Sequence, residues 1–352
     1  MRFLGNIKAY EGGASTIPGK RNVIKLSSNE SPFGPSQNVI LKIRENLKET
    51  NRYPDGSYKK LKEALSKKFN LPVANLFCGN GSDEILGIVC QLFLKKGDEV
   101  IIPKNSFLMF EIYSRINQGI VKTSTTKELK FQVNDILKRI TSRTKIIFIA
   151  QPNNPTGFYL NKTDLRKLIK STPKRVMVIL DAAYAEYMTD KEYLTGINFA
   201  KKHNNIIVTR TFSKIYGIAS LRLGWCYAQK DIIEKMNKIR GPFNVNHVAQ
   251  EAGIAALKDR KHELKAIKHN KFWIDKIKSE LKKLPIKVYD SRANFVLLDV
   301  GKNARKLNKF LLSKSIIVRT MEKYGLNNCI RVSVGKSKEN RKFLDSMNRF
   351  FR

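Results

Sequence analysis

The sequence lacks paired cysteines, long apolar runs and an apolar leader. Its four cysteines, Cys78, Cys90, Cys226 and Cys329, stand far apart and form no Cys-x-x-Cys motif, which disfavours a disulfide framework and fits a reducing compartment. No stretch approaches the ~18 consecutive apolar residues that a membrane-spanning helix needs, and the opening MRFLGNIKAY resembles no signal segment. We therefore expect a soluble protein of the cytoplasm with no membrane partner.

Histidine and acidic residues are also scarce. The four histidines lack the spacing of metal ligands, so we expect no metal site. Acidic residues number 30 against 67 Lys and Arg, a formal net charge of +37, which suggests a polyanionic partner such as nucleic acid. The basic residues are nevertheless spread along the whole chain and mixed with acids, as in LKEALSKKF. This pattern favours a solvated lysine-rich surface and no nucleic-acid partner, with a non-catalytic nucleic-acid-binding protein as the alternative.

The apolar content predicts a globular protein with a sheet covered on both faces. Of the 352 residues 42% are hydrophobic, enough for a large domain with a smaller companion. Between about residues 70 and 230, short apolar runs alternate with helical patterns, which predicts an α/β fold with a mostly parallel sheet sandwiched by helices. The predicted strands are EVIIP, GIVKTS, KIIFIA, RVMVILD, NIIVTRT and GWCYA.

The sequence changes character near residue 240. KDRKHELKAIKHNKFWIDKIKSELKKL is amphipathic and predicts one long helix, and the strand-like segments after it predict a smaller α+β unit. We expect residues 1–46 to form an N-terminal arm and a helix that belong to the small domain. Residues 47–245 then form the large domain, and residues 246–352 form the C-terminal small domain.

Two of the motifs place small polar residues where an anion or a ring could bind. In CGNGSDEILG the glycines allow close backbone approach, and the first helical turn near Ser82 and Asp83 offers free N–H groups to a phosphate. A simple capped turn is the alternative. In IAQPNNPTGFYL a buried strand ends in a rigid loop, and Asn154 would face the crevice where α/β proteins bind ligands. A turn that only closes the strand is equally compatible with this loop.

Two further motifs place ionisable residues at strand ends. VMVILDAAYAEY ends a buried strand with Asp181, a carboxylate that needs a positive partner, and Tyr184 follows. A helix-capping aspartate is the alternative. TFSKIYGIASLRLGW places Ser213 and Lys214 in a dry loop, where loss of solvation makes a lysine a usable nucleophile. A surface lysine is the alternative, and Arg222 adds a forked donor for phosphate.

The four motifs together meet the requirements for holding pyridoxal phosphate. They supply a phosphate cradle, a carboxylate for a pyridinium nitrogen, a tyrosine for a phenolic oxygen and a lysine for an aldehyde. They also stand in the order found in class II, fold-type I pyridoxal-phosphate-dependent aminotransferases, which the chain resembles over nearly its whole length. The motifs that carry this resemblance are KLSSNESPFGPS, RYPDGSYKKLKEAL, GNGSDE, PNNPTG, TFSK with LRLGW, and IIVRTMEKYGL with CIRVSVG.

The resemblance implies a role for each cofactor-binding residue. Lys214 is the residue that binds the cofactor covalently, and Asp181 pairs with its ring nitrogen. Tyr184 and Asn154 contact the ring's 3-oxygen, and Phe107 stands at the ring-stacking position where many relatives have tyrosine. The catalytic residues are thus Lys214, Asp181 and Tyr184.

The resemblance also implies how the cofactor's phosphate is held. Ser82, Asp83, Ser213 and Arg222 would bind the phosphate within one subunit. Tyr53 would reach the phosphate of the neighbouring subunit's cofactor. The active unit is therefore expected to be a homodimer with shared sites.

The substrate side of the site is implied in the same way. Arg331 corresponds to the family's anion-binding arginine, and Arg319 stands where a second phosphate contact is expected. Tyr10 and Asn29 are further candidates for substrate binding. The family members most similar at the C-terminal motifs transfer an amino group between histidinol phosphate and 2-oxoglutarate, which predicts these small-molecule substrates. An aromatic amino-acid aminotransferase and a phosphothreonine decarboxylase of the same fold are the alternatives.

Overall fold

The computed structural model describes residue 7 and residues 9–352. The helices in this range are α1 (Gln37–Asn46), α2 (Lys59–Phe69), α3 (Gly81–Phe93), α4 (Leu108–Ile116), α5 (Val133–Lys138), α6 (Lys162–Ser171), α7 (Ile197–Ala200), α8 (Lys230–Ile239), α9 (His247–Lys258), α10 (Arg260–Leu281), α11 (Ala304–Ser313) and α12 (Ser337–Phe351). The strands are β1 (Ile24–Lys25), β2 (Leu76–Asn80), β3 (Glu99–Pro103), β4 (Ile120–Ser124), β5 (Thr126–Lys127), β6 (Lys130–Phe131), β7 (Thr144–Ala150), β8 (Met177–Asp181), β9 (Ile206–Thr211), β10 (Leu223–Tyr227), β11 (Lys287–Val288), β12 (Phe295–Asp299), β13 (Ile316–Ile317), β14 (Arg319–Thr320) and β15 (Cys329–Ser333).

Seven strands form a central sheet in the order β2-β10-β9-β8-β7-β3-β4. β10 runs antiparallel to both of its neighbours, and the other neighbouring strands are parallel. All six strands predicted from apolar runs lie in this sheet, which confirms the predicted α/β class. Strand β2 was not predicted, because LFCGN has no β-branched residue and ends in turn-forming residues; pairing with β10 makes it a strand.

Both faces of the central sheet are buried, which explains the continuous apolar runs. In β7, Ile147 and Ile149 pack into the core on one face, while Ile146 and Phe148 pack into the core on the other. Successive side chains of a strand point to opposite faces, so a sheet covered on both sides needs apolar residues at consecutive positions.

The C-terminal residues build a second, smaller unit. Strands β11, β12, β15 and β14 form an antiparallel sheet in that order. The predicted long helix is α10, which is 22 residues long and begins where the Asp259 side chain accepts a hydrogen bond from the His262 amide. Trp273 and Ile277 of α10 pack with Leu26 in a separate core.

The N-terminal residues contact both units. Strand β1 pairs with β13, which joins it to the small unit. Helix α1 instead packs against α9, and Val39 of α1 and Ala252 of α9 both belong to a core beneath the central sheet. The division into residues 1–46, 47–245 and 246–352 stays a prediction, but this packing favours placing α1 and α9 with the large unit.

The loop that follows Lys214 is held by direct contact between two backbones. Gly217 has a φ of 71°, and a β-carbon at this position would lie 2.0 Å from the carbonyl oxygen of Gly34. A side chain is therefore excluded both by conformation and by space. This contact ties the loop carrying Lys214 to the N-terminal segment.

Replacing Gly217 should separate these two effects when it is compared with a matched control. Gly97 also has a positive φ, 87°, but a β-carbon added there would have no other atom within 4 Å. Gly97→Ala should cost about 1–2 kcal/mol from backbone conformation alone. Gly217→Ala should lower the free energy of unfolding by about 2 kcal/mol more, because it also overpacks the contact. Urea denaturation of both variants measures the difference, and equal losses would contradict the backbone contact.

Candidate active site

A cavity of about 310 Å³ opens beside the carboxyl ends of β7, β8 and β9 and the start of α3. Parallel α/β sheets bind ligands at this edge. Every residue predicted for the site lines the cavity except Tyr53. The predicted residues in its wall are Tyr10, Asn29, Ser82, Asp83, Phe107, Asn154, Asp181, Tyr184, Ser213, Lys214, Arg222, Arg319 and Arg331.

The wall also contains residues that the sequence did not single out. Ser27, Ser28 and Glu30 flank Asn29, and Thr211 stands just before Ser213, so membership of the same short motifs could have indicated them. The remaining ones are small residues without a reactive group, which gave no signal. These are Gly12, Gly13, Ala150, Ala183 and Ala219.

The start of α3 and Arg222 form an anion cradle. The N-cap residue of α3 is Asn80, whose side chain makes no capping hydrogen bond, so neither Ser82 nor Asp83 acts as the N-cap that the alternative interpretation required. Arg222 donates a hydrogen bond from Nη1 to Ser213 Oγ, at 3.2 Å. A β-carbon on Gly81 would lie 2.5 Å from Arg222 Nη2, so glycine allows the guanidinium to reach the helix terminus. The amides and the guanidinium thus offer donors to one anion.

Asp83 contributes to this cradle in a different way from the other residues. Its carboxylate oxygen Oδ2 lies 3.0 Å from Arg222 Nη2 in an ion pair. An ionised carboxylate accepts hydrogen bonds and repels a phosphate, so its side chain cannot bind one directly. Contact with an anion would fall to the backbone N–H of Asp83, while its side chain orients Arg222.

Asp181 ends β8 as a buried carboxyl group. The Thr209 hydroxyl donates a hydrogen bond to its Oδ1 atom, at 2.9 Å. Burial raises the pKa of Asp181 to about 7, and the Thr209 hydrogen bond opposes this shift. A carboxyl in this state accepts a proton or a cationic partner with little cost.

Lys214 follows β9 and is enclosed by protein except toward the cavity. Its Nζ atom lies 5.7 Å from the centre of the Tyr184 ring. Burial, and then the positive charge of Arg331, lower the pKa of Lys214 to about 8. Among the described residues we find no hydrogen bond or ion pair from this amine, so it is available to a ligand.

Tyr184 is oriented by Asn29, one of the residues predicted to bind substrate. The Asn29 Nδ2 atom donates to the Tyr184 hydroxyl, at 2.9 Å, and Ser333 Oγ bonds to Asn29 Oδ1, at 3.0 Å. Asn29 is buried, and both the nitrogen and the oxygen of its side chain are hydrogen-bonded to protein. Burial raises the pKa of Tyr184 above its ordinary value, so the phenol stays protonated and can donate into the cavity.

Two arginines of the small unit enter the cavity side by side. Arg319 in β14 and Arg331 in β15 are directly paired across the strands, and both are buried. Arg331 donates to Asn154 Oδ1 and, at 2.8 Å, to the carbonyl oxygen of Ser27. Arg319 donates to the carbonyl oxygen of Glu11.

Neither arginine is neutralised by an acid within the part of the chain that the structure describes. The ion pairs there include neither Arg319 nor Arg331, and the Arg331 Nε atom is buried without a hydrogen-bond partner. Two adjacent buried cations repel each other and favour an anionic ligand between or beside them. The cavity thus has a second anion-binding region in addition to the cradle at α3.

The aromatic residues predicted for the site differ in position. Phe107 lines the cavity and contacts Tyr10 edge to face, with the ring centres 6.5 Å apart. Tyr53 lies outside the cavity, is 83% exposed and stacks on Phe243 at 4.6 Å. The structure therefore does not bring Tyr53 to the site of its own subunit.

The structure also bears on the cysteines, on metal ligands and on membrane-spanning helices, which composition alone had addressed. The four cysteines are buried and free. Within residue 7 and residues 9–352, no group of three or more His, Cys, Asp or Glu side chains is placed to hold a metal ion. In the same range, no helix has both the length and the apolar character needed to cross a membrane.

Sequence relatives give an independent indication of what the site does. Residues 21–347 match the family model described as aminotransferase class I and II. A histidinol-phosphate aminotransferase of Pelagibacter ubique (strain HTCC1062) is 46% identical over 350 residues, which covers 98% of this chain and 97% of the relative. One from Paramagnetospirillum magneticum (strain ATCC 700264 / AMB-1) is 38% identical and covers 98% of this chain and 96% of the relative.

Solved structures share the whole architecture. The histidinol-phosphate aminotransferase from Sinorhizobium meliloti, solved in complex with pyridoxal-5'-phosphate, aligns with a TM-score of 0.89 at 26% identity. The alignment covers 94% of this chain and 92% of that one. The enzyme of the same name from Clostridium acetobutylicum aligns with a TM-score of 0.86, also at 26% identity, over 93% of this chain and 99% of the other.

The reactivity of the Lys214 amine should reveal its environment. In the full-length protein without added ligand, labelling by a small anhydride should follow an apparent pKa of about 8, whereas ordinary lysines titrate near 10.4. Arg331→Gln should raise the pKa of Lys214, because one of its two main causes of lowering is removed. Mass-spectrometric quantification of the labelled peptide against pH checks both results. A Lys214 that titrates with ordinary lysines would contradict the described environment.

Proposed function

Because the chain belongs to the family of class I and II aminotransferases, we propose that it transfers an amino group between L-histidinol phosphate and 2-oxoglutarate with pyridoxal phosphate as cofactor. In the biosynthetic direction, glutamate donates the amino group to imidazole acetol phosphate, a step of L-histidine biosynthesis. Histidinol-phosphate aminotransferases at 37–46% identity over nearly the full chain support this activity. The architecture is that of the fold-type I transferases.

The chemistry of the cavity fits this cofactor. Lys214, Asp181 and Tyr184 bring an amine, a carboxyl and a phenol to one space, and these groups match an aldehyde, a ring nitrogen and a phenolic oxygen. The donors around Arg222 suit a phosphate. When bound, pyridoxal phosphate supplies an electron sink that stabilises a carbanion at the substrate Cα atom.

Lys214 is the proton carrier in this proposal. Lys214 would hold the cofactor through its aldehyde, and its Nζ amine, once freed by the amino substrate, would carry the proton between the substrate Cα atom and the cofactor's C4′ atom. The lowered pKa of about 8 keeps a usable fraction of the amine neutral near pH 7. The same burial that lowers this pKa also excludes water from the amine.

Asp181 and Tyr184 have supporting electrostatic roles. The Asp181 carboxylate would accept a hydrogen bond from the ring nitrogen and would hold the proton on it. Tyr184, fixed by Asn29, would donate a hydrogen bond from its hydroxyl toward the ring's 3-oxygen. Asp181 would therefore stabilise positive charge at the ring nitrogen, and Tyr184 would stabilise negative charge at the 3-oxygen.

The observation that carries the choice of substrate is the pair of buried arginines without an acid partner. A carboxylate or a phosphate accepts two hydrogen bonds from one guanidinium, so Arg319 and Arg331 suit both glutamate and a phosphate monoester. A phosphate monoester carries up to two negative charges and three terminal oxygens and can pair with both guanidinium groups, whereas the single carboxylate of an aromatic amino acid has one charge and two oxygens and would leave one arginine unpaired. The arginine pair therefore favours a phosphorylated substrate over an aromatic one. It also favours the enzyme over a non-catalytic nucleic-acid-binding protein, because the cations lie inside a cavity.

We also propose that the active unit is a cytoplasmic homodimer. Tyr53 and Phe243 form an exposed aromatic stack outside the cavity, and an aromatic stack on the surface is typical of an interface. In a dimer, Tyr53 would contribute its hydroxyl to the cofactor phosphate of the partner subunit. The four free cysteines fit a reducing compartment.

Removing one guanidinium should separate the two substrates. Arg319→Ala should lower kcat/KM for histidinol phosphate by about 10- to 100-fold, because a charge-assisted hydrogen bond to the phosphate is lost. The loss for glutamate should be several-fold smaller. Arg305→Ala removes an exposed arginine of the same unit, 87% exposed at its side chain, and should leave both values within about twofold. Steady-state kinetics with each substrate measures this, and equal losses for Arg319→Ala would contradict a phosphate role.

Mixed dimers should test whether Tyr53 acts in the partner's site. Lys214→Ala and Tyr53→Ala homodimers should each be nearly inactive. A mixture refolded at equal amounts should regain about a quarter of the wild-type activity, because half of the dimers are hybrids and each hybrid has one unaltered site. No recovery, although hybrids are demonstrated by differently tagged subunits, would contradict the shared site.

A further inference from the structure

Thr209 is a buried polar residue in the middle of the central sheet. It lies in β9 directly opposite Asp181 of β8, and its side chain has no exposed surface. The Thr209 Oγ1 atom donates to Asp181 Oδ1 at 2.9 Å. Thr209 does not line the cavity, so any effect on a ligand must act through Asp181.

The hydroxyl is not required by the strand itself. Ile206, Ile207 and Val208, which precede it in β9, are all buried aliphatic residues, and valine would satisfy the same β-sheet preference. A buried hydroxyl without a partner costs free energy. In the described residues the only hydrogen bond made by the Thr209 hydroxyl is the one to Asp181, so the two side chains depend on each other.

We propose that Thr209 is a positioning residue for the cofactor: its hydroxyl orients the Asp181 side chain and stabilises the ionised carboxylate that pairs with the protonated ring nitrogen. A hydrogen bond donated to a carboxylate favours the charged form over the neutral one. The effect should matter most for a carboxylate removed from water. This inference rests on the cofactor of the proposed function but not on its substrates.

The groups around Asp181 leave its ionisation finely balanced. Burial raises the pKa of Asp181 to about 7, Thr209 and Lys214 lower it, and Asp83 raises it. The phenols of Tyr184 and Tyr193 also face this carboxyl, and burial raises the pKa of both, so they remain neutral. Thr209 is therefore a neutral donor, hydrogen-bonded to Asp181, that favours the charged carboxylate near pH 7.

The test measures cofactor affinity against pH. Pyridoxal phosphate is titrated into the full-length apo-protein at pH 6 and pH 9, for the wild type, Thr209→Val and Thr209→Ser. If the lost hydrogen bond raises the pKa of Asp181 by about one unit, Thr209→Val should weaken binding about tenfold at pH 6 and less than about twofold at pH 9. At pH 6 the Asp181 carboxyl must lose a proton before it can pair with the ring nitrogen, and this loss costs more in the variant because the pKa of its carboxyl is higher. At pH 9 the carboxyl is largely ionised in both proteins. Thr209→Ser keeps the hydroxyl and should stay within about twofold of the wild type at both values.

Control variants separate positioning from packing. In an Asp181→Asn background, Thr209→Val should change the affinity equally at both pH values, because the titrating group is gone. If Thr209→Val does not fold, Thr209→Ala compared with Thr209→Ser gives the same contrast, since only serine retains the hydroxyl. In protein that retains Asp181, Thr209→Val should weaken cofactor binding mainly at the lower pH. Equal weakening at both pH values, or no weakening at all, would overturn the proposal.

The outcome is distinguishable from failure of the proposed function. A wild type that binds the cofactor but does not transfer an amino group from histidinol phosphate contradicts the proposed substrate and leaves the Thr209 comparison valid. A wild type that transfers the amino group while Thr209→Val keeps wild-type affinity at pH 6 contradicts the Thr209 role alone. Absence of cofactor binding by the wild type contradicts both.

Discussion

The cavity is organised around positive charge that the described residues do not neutralise. Lys214, Arg319 and Arg331 converge on it, while the one buried carboxyl, Asp181, is held by Thr209. Because loss of solvation, and then the positive charge of Arg331, disfavour an ammonium group, the pKa of Lys214 falls to about 8. The same excess of positive charge creates the need for anionic ligands. The positive charge of Arg331 thus contributes both to the lowered pKa of the lysine, after burial, and to the binding of anionic substrates.

The fold supplies these groups from two units. The lysine and the carboxyl stand at the ends of β9 and β8 in the central sheet, whereas Arg319 and Arg331 come from β14 and β15 of the small unit. A substrate that contacts both sets must therefore bridge the units. The N-terminal segment completes the wall, since Arg331 donates to Ser27 and Asn29 orients Tyr184. The net charge of +37 adds a long-range attraction for anions that does not depend on this geometry.

Much of this could be predicted from the sequence, because the central sheet is buried on both faces and its strands are continuous apolar runs. The chemical residues follow those strands directly, so Asp181 and Lys214 could be assigned to the same edge. Strand β2 could not be predicted, since only its pairing with β10 makes LFCGN extended. The contact between Asn29 and Tyr184 and the ion pair between Asp83 and Arg222 were also beyond reach. Such contacts join residues more than one hundred positions apart, and no local pattern encodes them.

We infer that the paired arginines and Lys214 form one site for a phosphorylated amino substrate. Single-turnover half-reactions of the cofactor-loaded protein, followed by absorbance, test it with histidinol phosphate, phenylalanine and phosphothreonine. We expect histidinol phosphate to convert the cofactor to its aminated form with the highest efficiency, and phenylalanine to react at least about 100-fold less efficiently, because its single carboxylate has less charge and fewer acceptor oxygens for the two arginines than a phosphate has. Preferential reaction with phenylalanine, or release of carbon dioxide from phosphothreonine as the fastest process, would contradict this substrate assignment.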